Sequence, residues 1–420
     1  MTPRDYLAAL EFHGIKLGLD NIHGLLNHAG NPQENYPTIH VAGTNGKGSV
    51  IAFLDAMLRT AGYRTGRFTS PHLIDVTERF LVDGQPIPDP ALNLQIECFR
   101  HIAEENDIQV TYFEMVTAIA FNYFDDANVD VALIEVGMGG RFDATNVLNP
   151  IATAITPIDL DHMQYLGETL EEIAGEKAGI LKPAVPAIIG EIRPEAQTVL
   201  ISRAKEIGAP TTILGQDVQF RPPSDENPFR YESDTLSIEA DCLGLPGDHQ
   251  AQNAAIATAL AESIRGQFPD LIPAMIEAGL TAARWPCRLE HVLDAPPMMI
   301  DAAHNPAALE AVAKVLPKSI VVLAVSNDKH ARAMVQIAER FAQELVLSQY
   351  KGSRAMPPEE LAKFVSDCPW KTAPSIEAAI DLSIPRSSER CPLVIVGSIF
   401  AAGEARRYLI DKYGAPPLRF

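Results

Sequence analysis

The stretch His40-Val41-Ala42-Gly43-Thr44-Asn45-Gly46-Lys47-Gly48-Ser49-Val50 limits the chain more than any other. A short apolar run, Thr38 to Ala42, reads as a buried strand. Three glycines then surround one lysine. Val50, Ile51, Phe53, Leu54, Met57 and Leu58 recur with helical spacing. Strand, glycine–lysine loop and helix form the arrangement in which backbone N–H groups close around phosphate oxygens. The helix N-terminus adds partial positive charge and Lys47 adds a full one. The match to the usual phosphate-loop pattern is imperfect. Val41 stands where the first glycine is expected, and the hydroxyl comes one residue late, at Ser49. The competing reading is a glycine-rich surface turn with a solvated lysine.

Such a loop needs a sheet around it, and the chain supplies one. Val131, Leu133, Ile134 and Val136 make a second buried strand, which carries Glu135 near its end and runs into Gly137-Met138-Gly139-Gly140-Arg141-Phe142-Asp143. A carboxylate at the C-terminal end of a buried parallel strand is where open α/β sheets place ligand chemistry. It requires a partner, either a metal ion or Arg141. Ile151 to Ile155 is a third strand and ends in Asp159, Asp161 and His162. A neutral imidazole is a good metal ligand, although an ordinary loop histidine is the alternative. Ser70 stands where a strand ends at Ser70-Pro71, and taken alone it reads better as a turn residue than as a ligand. Thr169 and Glu172 have capping-box spacing and open a helix that carries Lys177, which by default is solvated and paired with Glu172 or Glu176. Helices are also expected over Pro3–Glu11, Asn21–His28, 88–106 and Met115–Phe124. Residues 184–245 read as mixed strand and loop.

A Pro-rich change of character at 281–297 marks the domain boundary, dividing the chain into 1–290 and 291–420. Beyond it, strands at Met298–Ile300, Ser319–Val325, Leu345–Ser348 and Leu393–Val396 alternate with helices. The fold class is therefore α/β with two domains: an N-terminal phosphate-loop mononucleotide-binding domain and a smaller C-terminal Rossmann-like one. Lys and Arg number 34 against 54 Asp and Glu, a net charge of −20. An acidic surface argues against nucleic acid or an anionic membrane as partner. A local cluster of Lys47, Arg79, Arg141 and Lys177 still allows an anionic substrate. The five cysteines form no C-x-x-C pair, so reduced thiols in the cytoplasm are expected. No signal pattern and no long apolar run is present. From the residues alone, this is a two-domain Mg-ATP-dependent enzyme whose phosphoryl acceptor is open.

Six segments appear together in one order: Ala42 to Ser49; Ser70-Pro71-His72-Leu73; Glu135 to Arg141; Leu160-Asp161-His162; Gly175-Glu176-Lys177-Ala178-Gly179-Ile180; and Asp301-Ala302-Ala303-His304-Asn305-Pro306. In this the chain resembles the folylpolyglutamate synthase family, within the Mur-type ATP-dependent amide ligases. The resemblance implies that Lys47 and the amides of Asn45, Gly46 and Gly48 hold the ATP phosphates, with Asn253, Arg288 and Asp301 as further nucleotide contacts. It implies magnesium at Ser70, Glu135 and His162, a carbamylated Lys177, and His304 near the incoming glutamate. Bifunctional members hold dihydropteroate at segments matching Leu17, Gly18, Leu19 and Asp20; Thr111, Tyr112, Phe113 and Glu114; and Phe142, Asp143 and Ala144. The implied reaction joins L-glutamate to dihydropteroate and to tetrahydrofolate through an acyl phosphate. The implied partners are small molecules only (dihydropteroate, reduced folates, L-glutamate), the implied state is a monomer, and potassium is a second cation by resemblance alone. Met138-Gly139 and Phe142 leave the preference between the two pterins open. The rivals are a synthase that only extends glutamate tails, a cell-wall amide ligase and a nucleotide-switch ATPase. The cell-wall ligase would need an additional N-terminal domain, for which there is no room before residue 43.

Overall fold

The computed structural model describes residues 1–13, 18–224, 227–327 and 329–420. The chain forms two compact units. The first comprises Met1–Gly244, Gln250–Arg284 and Phe420, and the second Leu245–His249 and Trp285–Arg419.

The first unit is built on an eight-stranded sheet. Its strands are β1 (Thr38–Ala42), β2 (Thr65–Phe68), β3 (Phe80–Val82), β4 (Gln85–Pro86), β5 (Val131–Glu135), β6 (Ala152–Ile155), β7 (Ala187–Ile189) and β8 (Thr211–Ile213). They lie in the order β4-β3-β2-β5-β1-β6-β7-β8. β2, β5, β1, β6, β7 and β8 run parallel, and β3 and β4 are added antiparallel at one edge. β1 lies between β5 and β6, so both its faces and both its edges are covered. This is why Thr38 to Ala42 is buried throughout. After β5 the chain crosses β1 and continues on its other side. The C-terminal ends of β5, β1 and β6 thus meet where the strand order reverses, the position at which such sheets bind ligands. The register fixes the neighbours there: Glu135 lies beside Val41, and Ile155 beside Ala42.

The helix Lys47–Thr60 follows β1, with Val50, Ile51, Phe53, Leu54, Met57 and Leu58 buried. One apolar core gathers Phe68, Phe80, Phe99, Phe121 and Phe124 under the helices Asp89–Glu105 and Tyr112–Asp126. A second packs Ile155, Ile173, Ile180 and Ile189 beneath the helix Leu170–Lys177. Residues 184–245 differ from the mixed strand and loop expected of them, because a helix spans Pro194–Ile207. Proline at its start and left-handed Gly208 at its end bound it, but its buried face is only Ala196, Leu200 and Ala204. A three-stranded antiparallel sheet follows: β9 (Gln219–Arg221), β10 (Phe229–Glu232) and β11 (Ser237–Ala240).

The second unit holds a six-stranded sheet of β12 (Glu290–Asp294), β13 (Pro297–Ile300), β14 (Ser319–Leu323), β15 (Ala342–Leu347), β16 (Trp370–Thr372) and β17 (Leu393–Val396), ordered β12-β13-β17-β14-β15-β16. All neighbours are parallel except the β12–β13 hairpin. The fold is the expected α/β architecture, with a phosphate-loop sheet followed by a smaller Rossmann-like one.

Candidate active site

The loop after β1 is held by its neighbours rather than by side-chain capping. A Cβ on Gly43 would stand 1.8 Å from Thr156 Oγ1, and one on Gly46 would stand 2.3 Å from Asn253 Oδ1. Gly46 is left-handed, at φ 92°, and supplies no side-chain cap to the helix it precedes. The first N–H groups of that helix have no intrahelical acceptor. Thr156 Oγ1 donates to the Asn45 carbonyl at 2.8 Å, and the Asp159 amide donates to Thr44 Oγ1 at 3.0 Å. The loop is thus stapled to the segment that follows β6. One expectation needs correcting here. The Asn45 amide, read as turned to phosphate, donates to the Pro157 carbonyl at 3.2 Å and belongs to the staple.

Lys47 curls over this loop. Its ammonium donates to the carbonyls of Gly43 and Thr44, both at 3.2 Å, and lies 3.8 Å from Glu135 Oε1. Glu135 Oε2 accepts from the Ser70 amide at 3.1 Å. The partner of Glu135 is therefore Lys47 and not Arg141, which extends outward to Glu176 at 3.1 Å. The cause is the register, which sets Glu135 beside Val41 on β1. Arg141 accordingly leaves the expected basic cluster, and its side chain is about half exposed.

Lys177 is not solvated either. Only 4% of it is exposed, and its ammonium donates to the Gly43 carbonyl at 2.9 Å instead of pairing with Glu172 or Glu176. Burial first, and then the charge of Lys47, push its amine down to about 7, while Asp161 and Asp143 oppose the shift. Glycines allow the close packing that places it. A Cβ on Gly140 would lie 2.9 Å from the carbonyls of Glu176 and Lys177, and one on Gly179 would lie 2.4 Å from the Arg141 Cα.

Beside this centre is a cavity of about 340 Å³. It is lined by Gly18, Ser70, Pro71, Arg79, Thr111, Tyr112, Phe113, Glu114, Gly137, Met138, Phe142, Asp143, Ala144 and His162. Three groups named separately in the sequence therefore meet: Gly18; Thr111 to Glu114; and Phe142 to Ala144. Ser70 and His162 join them on the same wall. Leu17 lies outside the described residues. Leu19 packs on the apolar core, and Asp20 is exposed in the first turn of the helix Asp20–His28, so neither lines the cavity.

Hydrogen bonds brace the cavity wall. Thr111 and Glu114 cap each other, and the Thr111 amide and hydroxyl both donate to Glu114 Oε2, at 2.7 and 2.8 Å. Asp143 accepts from the amides of Met138 at 2.8 Å and Thr145 at 3.0 Å; burial raises its pKa while these bonds lower it. Glu78 gathers the amides of Leu73, Ile74 and Asp75 within 2.8 Å and so shapes the loop after Ser70. Arg79, which no motif singled out for the cavity, donates from Nε to His72 Nδ1 at 3.0 Å and lies over the Tyr112 ring at 5.4 Å. Burial, and then Arg79, push the His72 imidazole down to about 4, so it stays neutral and accepts that bond. Arg79 directly precedes β3, and only the assembled fold brings it over the Tyr112 ring.

The remaining expected residues are in the second unit, apart from Asn253, whose amide carbonyl abuts Gly46. The backbone is left-handed at Cys287 (φ 54°) and Leu289 (φ 45°), on either side of Arg288. Asp301 is buried and accepts from the amides of Leu289 at 2.8 Å and Ala303 at 2.7 Å. Burial raises its pKa, and Arg288 opposes this. His304 Nδ1 pairs with the Ala302 carbonyl at 3.0 Å, and Asn305 caps the helix Pro306–Ala313.

Among the described residues, no three His, Cys, Asp or Glu side chains group to hold a metal by themselves. The expected magnesium set contains two such side chains, Glu135 and His162, and the hydroxyl of Ser70. A carboxylate and a hydroxyl oxygen suit a hard cation that fills its remaining positions with phosphate oxygens and water, so the residues present fit a metal brought in with nucleotide.

A phosphate-loop sheet with a Rossmann-like second unit is the two-part architecture of an ATP-dependent ligase. The family model described as the Mur ligase middle domain matches residues 41–261, and that described as the Mur ligase glutamate ligase domain matches residues 287–399. The dihydrofolate synthase/folylpolyglutamate synthase of Bacillus subtilis is 36% identical, over 94% of this chain and 96% of its own length. The structure of E. coli FolC in complex with DHPP and ADP superposes with a TM-score of 0.89 at 28% identity, covering 98% of this chain and 99% of that one. A bifunctional folylpolyglutamate synthase/dihydrofolate synthase with Mn, AMPPNP and L-glutamate bound gives a TM-score of 0.85 at 27% identity, covering 97% and 98%. The chain belongs to the dihydrofolate synthase/folylpolyglutamate synthase family of Mur ligases.

Proposed function

We propose that the protein is an ATP-dependent ligase that adds L-glutamate to dihydropteroate, forming dihydrofolate, and to reduced folates, forming polyglutamates. The observation that carries this reading is the cavity. It sets Thr111 to Glu114 and Phe142 to Ala144 around one space whose wall also includes Ser70 and His162, beside Lys47 and Lys177. A pterin held there, with its benzoate carboxylate toward Ser70, is directed at the phosphate loop. The carboxylate attacks the γ-phosphorus of ATP, ADP leaves, and an acyl phosphate forms. The amine of glutamate then attacks the acyl carbon and loses a proton, and phosphate departs from the carbonyl as the amide forms.

In this reading Lys47 and the N-terminal amides of its helix bind the phosphates and offset the charge that develops on the transferred group. Ser70, Glu135 and His162 hold a divalent cation, magnesium in the cell, which neutralises phosphate oxygens when bound. Lys177, with its amine down at about 7, is neutral in a large fraction of molecules near neutral pH. Only a neutral amine adds carbon dioxide, so a carbamate at this position is chemically accessible. The second unit's part of the proposal assigns nucleotide contact to Arg288 and Asp301 and the incoming glutamate to His304. The reading also takes the enzyme as a cytoplasmic monomer. Five free cysteines support the compartment, and among the described residues no helix is long and apolar enough to cross a membrane. Potassium as a second cation rests on resemblance alone and is tested by replacing it with sodium in the assay.

The test is ADP release by purified protein with Mg-ATP and L-glutamate, comparing dihydropteroate, tetrahydrofolate and no pterin. Release with both pterins and none without glutamate is expected. Release with tetrahydrofolate alone leaves a tail-extending synthase, and release indifferent to pterin and glutamate overturns the ligase.

A further inference from the structure

The turn that carries Arg288 is held by an ion pair between buried Arg406 and partly buried Glu290, which has no place in the chemistry above. Cys287 and Leu289 adopt left-handed backbone on both sides of Arg288. Side chains rarely do so without being forced, because the Cβ crowds the backbone in that conformation. Two carboxylates do the forcing. Asp301 takes the Leu289 amide at 2.8 Å, and Glu290 Oε2 takes the Cys287 amide at 2.9 Å. Glu290 is in turn gripped by Arg406, from Nε at 3.1 Å and Nη2 at 2.8 Å. Arg406 belongs to the helix Ile399–Tyr413 and is 1% exposed, and its Nη1 is buried without a hydrogen-bond partner. A planar fork buried at that expense is poor value as a stabilising device, because an apolar pair of similar volume does as well. Its effect is geometric, since it fixes the carboxylate that fixes the turn. The Arg288 guanidinium itself donates to the Cys287 carbonyl at 3.1 Å, and the Ala302 amide donates to the same oxygen at 2.9 Å.

We propose that Arg406 and Glu290 are positioning residues for nucleotide binding, acting through the Cys287–Leu289 turn to aim Arg288. The inference rests on the reading of Arg288 as a nucleotide contact. In this role both residues act through the Cys287–Leu289 turn, so they alter where Arg288 points and not the chemical step.

The experiment measures KM for ATP, glutamate and dihydropteroate, with kcat, in Arg288→Ala, Glu290→Gln and Arg406→Lys, each first shown to be folded by circular dichroism. Glu290→Gln keeps an acceptor for the Cys287 amide and is the milder change. Arg406→Lys keeps the charge and loses the fork. In both, the ATP KM is expected to rise by about tenfold, the equilibrium weight of one charge-assisted hydrogen bond. The other two KM values stay put, and kcat changes little. Combining either substitution with Arg288→Ala adds nothing further to the ATP KM. A raised ATP KM in Arg288→Ala, with no change in the other two variants, overturns the positioning role alone. An unchanged ATP KM in Arg288→Ala overturns the nucleotide reading and the positioning role with it. Parallel movement of all three KM values in the Glu290 and Arg406 variants shows a general structural role and also overturns it.

Discussion

At Gly46 the chain takes left-handed backbone with a residue that has no Cβ, whereas at Cys287 and Leu289 it takes φ of 54° and 45° with side chains present. The phosphate loop is shaped by absence. At Gly43 and Gly46 there is no room for a methyl group, because Thr156 and Asn253 occupy the space. The turn around Arg288 is shaped by attraction, with Glu290 and Asp301 taking the amides that would otherwise relax it. A loop of the first kind presents backbone amides and suits an anion that must approach the main chain closely. A turn of the second kind presents one side chain in a fixed direction. The first should fail abruptly when a side chain is added, and the second should fail gradually as its carboxylates are loosened.

The largest effect is expected at Lys47, where the loop's full charge resides. Lys47→Ala should lower ligation by about 10²–10³-fold, the loss typical of one preorganised electrostatic contact. ADP release under saturating ATP measures it. Near-normal turnover would mean that the amide cradle alone carries the phosphates and would remove the lysine from the comparison. Gly43→Ala comes next. Its Cβ would lie 1.8 Å from Thr156 Oγ1 and 2.9 Å from Thr156 Cβ, so either the loop or the end of β6 must shift. A displacement of that size should lower kcat/KM by about a hundredfold. Recovery in a Gly43→Ala/Thr156→Ser double variant is not expected, because the hydroxyl remains in the way. Recovery in Gly43→Ala/Thr156→Gly is expected in part, although the staple to Asn45 is then lost.

How much of this was legible from the sequence follows from what each feature depends on. Strands buried on both faces advertise themselves, so Thr38 to Ala42 reads directly from its apolar run, and a strand over Val129 to Val136 contains the observed Val131–Glu135. The convergence of Thr111 to Glu114 with Phe142 to Ala144 could be named only by resemblance, because nothing local joins them. The pairing of Glu135 with Lys47 was not legible. It depends on β5 being inserted beside β1, a neighbour relation that does not follow chain order. Arg141, six residues along the chain, was the natural local guess. The default reading of Lys177 as a solvated lysine fails for a related reason, whereas the carbamate that the resemblance implies calls for the buried amine found here. Its segment is rich in acids, but the tight approach of Gly140 and Gly179 sinks it beneath the loop. The helix Pro194–Ile207 was hidden by a narrow buried face of two alanines and a leucine, despite clear proline and glycine boundary signals. Arg406 and Glu290 are 116 positions apart and share no motif.

Lys177 sharpens the comparison through pH. Its amine sits at about 7 in the folded chain against an ordinary lysine value of 10.5. The folded value is the lower one, so the unfolded chain binds more protons between the two, and stability contributed through this group rises with pH across that window. Below about 7 the folded state carries the full penalty of burying the charge, on the order of 5 kcal/mol by the usual conversion. The penalty is gone above the unfolded value. In carbon-dioxide-free buffer, Lys177→Met should therefore exceed the parent chain in urea stability most at pH 6, with the gap closing toward pH 10. A gap that does not vary with pH would show that the amine is not depressed by burial. Intact-mass measurement with added bicarbonate then reports whether the neutral amine takes up carbon dioxide.

The smallest effect is expected at Arg141, and its smallness is informative. Arg141 is held by Glu176 at 3.1 Å and donates from Nη2 to the Gly175 carbonyl at 3.2 Å, but its side chain is 49% exposed. An ion pair in that setting is screened and contributes about 0–1 kcal/mol. Arg141→Ala should shift the urea midpoint only slightly and leave all three KM values unchanged, in contrast to Lys47→Ala. Both residues are cations beside a glycine-rich loop at the end of a central strand, and the sequence motif favours Lys47 without saying what Arg141 does. The sheet register ranks them, by placing the buried carboxylate next to β1. A marked rise in the ATP or dihydropteroate KM on Arg141→Ala would show that the guanidinium leaves Glu176 for the substrate, and that the loop after β5 contributes charge as well as close packing.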